Sequence, residues 1–72
     1  MEEIKVKGDY LKLEQLLKIV DLVSSGGEAK FFLINNKILV NNELDNRRGR
    51  KLYKGDVVKI LGKTYKLCWL NK

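Results

Sequence analysis

The sequence predicts an α+β fold in which a two-helix corner packs on a small, mainly antiparallel sheet. Three observations lead there. Between Leu13 and Val23 the apolar residues Leu13, Leu16, Leu17, Val20 and Val23 recur at the spacing of one helix face. Ser24-Ser25-Gly26-Gly27 interrupts that period, and a second apolar stripe starts directly after it. From Lys37 onward the chain changes to short strand-like runs divided by Asn and Gly.

The first element is Ile4-Lys5-Val6-Lys7, whose alternation predicts a short half-exposed strand ended by Gly8-Asp9. The helix over Leu13–Val23 follows, with Glu14 and Lys18 four apart on its outer face and placed for a weak ion pair. Gly26 suits a left-handed C-cap that closes it. Ser25 and Glu28 have the spacing of a capping box and start the second helix. Ala29, Phe32 and Leu33 form its buried stripe, and Asn35-Asn36 ends it. Phe31 and Phe32 are assigned to the core in preference to stacking. Lys37–Val40 is a strand, Asn41-Asn42 a two-residue hairpin turn because asparagine tolerates positive φ, and Glu43-Leu44 the returning strand. A basic loop leads to a strand over Asp56–Ile60, a turn at Leu61-Gly62-Lys63 and a last strand over Thr64–Leu70. In that strand Tyr65, Leu67 and Trp69 share one face; with Tyr10 these aromatics are assigned to packing.

Seventy-two residues are read as one domain, 1–72. A chain this short buries roughly 60% of its unfolded surface, so its core is small. The net charge of +6 is uneven: residues 1–29 carry four lysines against six acids, residues 30–72 eleven basic residues against three acids. A basic half on a globular domain points to a polyanionic partner, nucleic acid before a membrane surface. Histidine is absent, which removes the commonest general base and nitrogen metal ligand. Cys68 is the lone cysteine, a small packing residue with no disulfide or zinc partner. The expectations are therefore no enzyme, no cofactor and no metal. The opening Met-Glu-Glu-Ile-Lys has no signal core, and no run reaches the about 20 apolar residues of a membrane span, so the expectation is a cytoplasmic protein without a membrane role.

The densest chemistry lies in Asn46-Arg47-Arg48-Gly49-Arg50-Lys51-Leu52-Tyr53-Lys54-Gly55. It holds all three arginines and no acid. Arginine forks match phosphate oxygens two at a time, and Gly49 lets a backbone approach a ligand closely. Ordered elements on both sides predict a pinned loop, hence a binding site in preference to a solubilising tail.

Five segments in one order resemble the S4-type (αL) RNA-binding domain, and more closely its small stand-alone bacterial members. They are Leu16-Leu17-Lys18, Gly26-Gly27-Glu28-Ala29-Lys30, Val40-Asn41-Asn42-Glu43, Arg47-Arg48-Gly49-Arg50-Lys51-Leu52 and Gly55-Asp56-Val57-Val58. The resemblance implies a surface that grips structured RNA, rRNA or tRNA, with a ribosomal subunit as a further partner. Its residues are Lys18 and Lys30 on the helices, Asn41 and Asn42 at the hairpin, and Arg47, Arg48, Arg50 and Lys51 in the loop. Lys12 adds a cation at the first helix, the Gly26 and Gly27 amides are placed to meet a phosphate, and Tyr53 is available to stack, though packing is its first use. Two departures stand out. Members usually carry glycine where this chain has Asn42, and often Ser or Thr where it has Lys12; the first helix then loses that cap or takes it from Asp9.

The reading is a monomeric, non-catalytic binder of structured RNA. The alternative is a ribosome-associated or protein-docking adaptor with only nonspecific polyanion affinity. DNA fits less well, because Phe31-Phe32-Leu33-Ile34 is too apolar to read base edges in a major groove.

Overall fold

Strand alternation and helix period converge on one buried layer. The computed structural model describes residues 1–69, the side chain of Trp69 excepted. Strand β1 (Glu2–Val6) buries Ile4 and Val6 and leaves Glu3 and Lys5 outside. A two-residue strand β2 (Leu11–Lys12) leads into helix α1 (Leu13–Ile19), and α2 (Gly26–Asn35) follows. Then come β3 (Ile38–Val40), β4 (Glu43–Leu44), β5 (Lys51–Leu52), β6 (Val57–Ile60) and β7 (Lys63–Trp69). The main sheet has the order β1-β7-β6-β3-β4, antiparallel except for the parallel pairing of β1 with β7. The expected architecture is present, with a parallel edge that the sequence did not announce. β2 and β5 form a separate antiparallel ribbon, also unforeseen because two-residue strands are too short to show a period.

Ile38, Val40, Val58, Ile60, Tyr65 and Leu67 point to the helix side, where Leu13, Leu16, Leu17, Ala29 and Leu33 meet them. Truncating one of the buried leucines costs about 2–5 kcal/mol, a large share of the stability of a small domain. Among the described residues, no helix is long and apolar enough to cross a membrane.

Several boundaries differ from expectation. The first helix stops at Ile19, not Val23. Asp21 takes φ 65°, its N–H donates to the carbonyl of Lys18 (3.0 Å), and Leu22 N–H donates to that of Leu17 (3.0 Å). This is a Schellman closure on aspartate, so Gly26 is not the C-cap but the first residue of α2. Ser25 caps α2 as expected, its hydroxyl accepting from Glu28 N–H at 3.2 Å. The Glu28 carboxylate, however, reaches Ser24, accepting from its N–H and hydroxyl at 2.9 Å each. The turn at residues 41–42 has φ 53° and 68°, the left-handed pair a tight hairpin needs. The next turn uses Leu61 and Gly62 (φ 51° and 80°), and β7 begins at Lys63.

Side-chain placements differ too. Phe31 is 67% exposed, so it is not core, whereas Phe32 is half-buried against it. Tyr10 is also exposed, and only Tyr65 of the aromatics assigned to packing is seen buried. Leu70 and the side chain of Trp69 lie outside the described residues. Glu14 and Lys18 do not form an ion pair; among the described residues both ion pairs fall on Asp45.

Candidate nucleic-acid interface

The α1 N-terminus and the arginine loop hold each other. Lys12 occupies the N-cap position and offers no oxygen, so the first N–H groups of α1 need other acceptors. The loop supplies them: Leu13 N–H donates to the carbonyl of Arg50 (2.8 Å), and Glu14 N–H to that of Arg48 (3.1 Å). Gln15 Oε1 takes the Lys12 N–H at 2.9 Å, and the cap that Lys12 lacks comes from these loop carbonyls, not from Asp9. The loop backbone is thereby fixed to the helix it caps.

Asp45 fixes its side chains. It is the one buried charged residue in the described core, 8% exposed. Arg47 Nε donates to Asp45 Oδ1 (3.1 Å) and Nη2 to Oδ2 (2.8 Å), a two-pronged pair, while the Arg47 N–H adds a bond to Oδ1 at 3.0 Å. Arg50 Nη1 donates to Oδ2 at 2.7 Å. Led by the Arg47 guanidinium, these donors hold the Asp45 carboxyl far below the usual carboxylate range, against the opposite pull of burial. The Arg47 side chain remains 67% exposed and that of Arg50 27%. Guanidinium has five N–H donors. Arg47 therefore turns one edge to Asp45 and leaves the remaining edge exposed and held in one orientation.

Arg48 bridges to the second helix. Its Nη1 donates to the carbonyl of Gly26 at 3.3 Å. Gly27 follows in the first turn of α2, and Lys30 lies exposed about one turn farther along. Lys18 is exposed one turn beyond Glu14 on α1. At the α2 N-terminus the Glu28 carboxylate is held ionised, its proton affinity lowered by the Ser24 N–H and hydroxyl, so an anion already stands at that positive end.

Across the β2–β5 ribbon Lys12 pairs with Lys51, and Leu11 with Leu52. The next opposing position holds Tyr10 and Tyr53, with ring centroids 6.2 Å apart. Lys12, Gly27, Lys30, Arg47, Arg48, Arg50, Lys51 and Tyr53 are thus tied to one region built from both helix starts and the loop, with Lys18 at its margin. The side chains of Asn41 and Asn42 make no hydrogen bond to these residues. They sit at the opposite end of β4 from Asp45, and Asn41 is already engaged: its Nδ2 donates to Asp56 Oδ1 (3.0 Å) and its Oδ1 accepts from Val57 N–H (2.9 Å). Sequence reasoning missed Asp45 and Tyr10. Asp45 stands two residues before Arg47, the spacing at which an aspartate accepts from backbone, which was the available signal. Tyr10 had no signal, since its partner is 43 residues away and joined only by the ribbon.

Comparison with known proteins agrees with this architecture. The chain is 54% identical over 59 residues to a Bacillus subtilis (strain 168) protein named "Probable ribosome maturation protein RlbA", the aligned part covering 82% of this chain and 83% of that protein. The sequence profile described as "S4 domain" matches residues 4–68, which take in β1 from Ile4 onward, both helices, the arginine loop and all but the end of β7. The chain belongs to the S4 domain family.

Proposed function

We propose that this protein binds folded ribosomal RNA without catalysis and acts during ribosome assembly, as a monomer in the cytoplasm. The observation that carries the reading is the Asp45-braced arginine loop, which caps α1, touches α2 and keeps guanidinium edges outward. Such a surface suits RNA, whose wide minor groove and phosphates are gripped by shape and charge in preference to base edges. Family membership and the relative point to a non-enzymatic RNA-binding protein. The relative's name turns the choice from tRNA towards rRNA. Lys12, Lys18, Lys30, Arg47, Arg48, Arg50 and Lys51 supply the phosphate contacts in this reading.

The test is a salt series of binding to rRNA fragments, immature ribosomal subunits, tRNA and duplex DNA. Replacing Arg47, Arg48 and Arg50 with alanine removes up to three phosphate contacts, so the log–log salt slope falls by about 2–3 and affinity drops at least tenfold. Arg48→Ala alone leaves the Asp45 pairs intact and lowers the slope by about 1. Equal affinity of wild type and both folded variants for every polyanion overturns the reading.

A protein-docking role has its own support. Phe31, Ile34 and Leu44 are each about two-thirds exposed, and Ile34 and Leu44 line one shallow depression with Leu33 and Ile38. If Phe31→Ser with Ile34→Ser weakens binding to subunits but not to naked rRNA, that face docks on a protein component.

A further inference from the structure

The outer face of the β2–β5 ribbon carries two aromatics and two cations in a square. Cross-strand pairing places Leu11 opposite Leu52 and Lys12 opposite Lys51. Leu52 is fully buried and Leu11 packs against the core, so this pair faces inward. Alternation then turns Tyr10, Lys12, Lys51 and Tyr53 outward. Tyr10 is 39% and Tyr53 49% exposed. Their rings fix one another at 6.2 Å with a 55° tilt, and the Lys51 ammonium sits 4.9 Å from the Tyr10 ring centre. Such rings contribute more to a fold when buried, and here the core is completed beneath them without either.

Tyr53 also lines an open groove with Arg47, Gly49, Arg50 and Lys51. No carboxylate among the described residues lines it, and the glycine leaves room over the loop backbone, since a Cβ built on Gly49 meets nothing within 4 Å. A flat aromatic face beside guanidinium edges is the pairing that holds an unstacked nucleotide: base on ring, phosphate on arginine. A duplex cannot use the ring, because its bases are stacked on each other. Sandwiching a base needs parallel rings about 7 Å apart, twice the stacking repeat of a strand. The tilted pair at 6.2 Å is too close for that, so the base lies on the groove side of Tyr53, with Tyr10 and Lys51 as backing.

We propose that this ribbon face is a stacking site for an unpaired nucleobase, so that the RNA recognised by the protein carries a bulged or single-stranded nucleotide beside the backbone gripped by the arginine loop. The proposal rests on the RNA-binding reading above and specifies its ligand.

Three labelled RNAs test it with the full chain at low salt: a blunt duplex, the same duplex with one bulged adenine, and the same bulge with an abasic residue. Wild type prefers the adenine bulge to the abasic one by about tenfold or more. Tyr53→Ala abolishes that preference and Tyr10→Ala reduces it, and each lowers affinity for the adenine bulge at least fivefold more than affinity for the blunt duplex. Tyr53→Phe keeps the preference, because the ring and not the hydroxyl stacks. Thermal melts check that the variants fold. Equal wild-type affinity for adenine and abasic bulges overturns the stacking site, as does a Tyr53→Ala variant that loses affinity for all three RNAs alike; blunt-duplex binding then still stands for the RNA-binding reading. Failure of all three RNAs to bind overturns that reading and this proposal together.

Discussion

The arginine loop and the Asn41–Asn42 turn hold similar promise in the sequence, since both are short connections rich in polar side chains. The fold uses them in opposite ways. In the turn, Asn41 spends both ends of its amide on Asp56 and Val57, within the protein. In the loop, the backbone carbonyls and Asp45 take up the structural work, and the guanidinium edges are left over. A polar residue becomes a binding residue when a neighbour satisfies the fold in its place. That contrast is open to direct attack, because each region has a residue on which it depends.

The largest effect is expected at Asp45. Asp45→Asn weakens three charge-assisted bonds and destabilises the protein by about 2–3 kcal/mol. It also raises the net positive charge by one. If charge alone governs RNA affinity, the variant binds more tightly. If the loop works through orientation, as proposed, affinity of the folded variant falls about fivefold or more. Binding below the melting range, with melting curves alongside, separates the two. The pH dependence follows with a definite sign. The folded Asp45 carboxyl titrates well below its unfolded value near 3.9, so its contribution is complete above that value and is lost as pH falls. Between pH 5 and pH 3 wild type loses about 1 kcal/mol that Asp45→Asn does not lose.

Asn41 tests the opposite region. Asn41→Ala removes two hydrogen bonds and puts alanine at φ 53°, costing about 1–2 kcal/mol of stability. RNA affinity of the folded variant stays within twofold. A fall beyond tenfold without loss of stability moves the hairpin turn into the interface. Asn42→Gly is the milder probe: at φ 68° glycine is free of the strain that asparagine bears, and stability rises by about 0.5–1 kcal/mol, read as a higher melting temperature.

What could be read from the sequence follows the range of the interactions. The capping serine at Ser25, the Asn-Asn turn and the core residues of β3, β6 and β7 rest on neighbours within a few positions, and their patterns are visible. The early stop of α1 is also local, but it turns on Asp21 accepting a left-handed conformation where glycine is the usual signal. The ribbon, the parallel β1–β7 edge and the exposure of Tyr10 depend on partners far along the chain. The arginines were conspicuous as a composition. Their arrangement was not, because it is set by one buried aspartate that composition counts only as a subtracted charge.

The smallest effect asked for here sharpens the comparison at the helix corner. Gly27 lies exposed in the first turn of α2, and a Cβ there meets nothing nearer than Ser25 Oγ at 3.9 Å. Gly27→Ala therefore fits and reduces the freedom of the unfolded chain, which raises stability by about 0.5 kcal/mol. Its consequence for RNA distinguishes two ways in which a helix start contributes. If phosphate rests on the bare amides, a methyl group at position 27 obstructs the approach and affinity drops. If the Glu28 carboxylate holds that end, the corner contributes through Lys30 and Arg48 on either side, and affinity is unchanged within twofold while Lys30→Ala lowers the salt slope by about 1. The hydrogen bonds at Ser24 favour the second outcome, in which the corner, like the loop in the proposed reading, is a place where backbone serves the fold and side chains are left for the ligand.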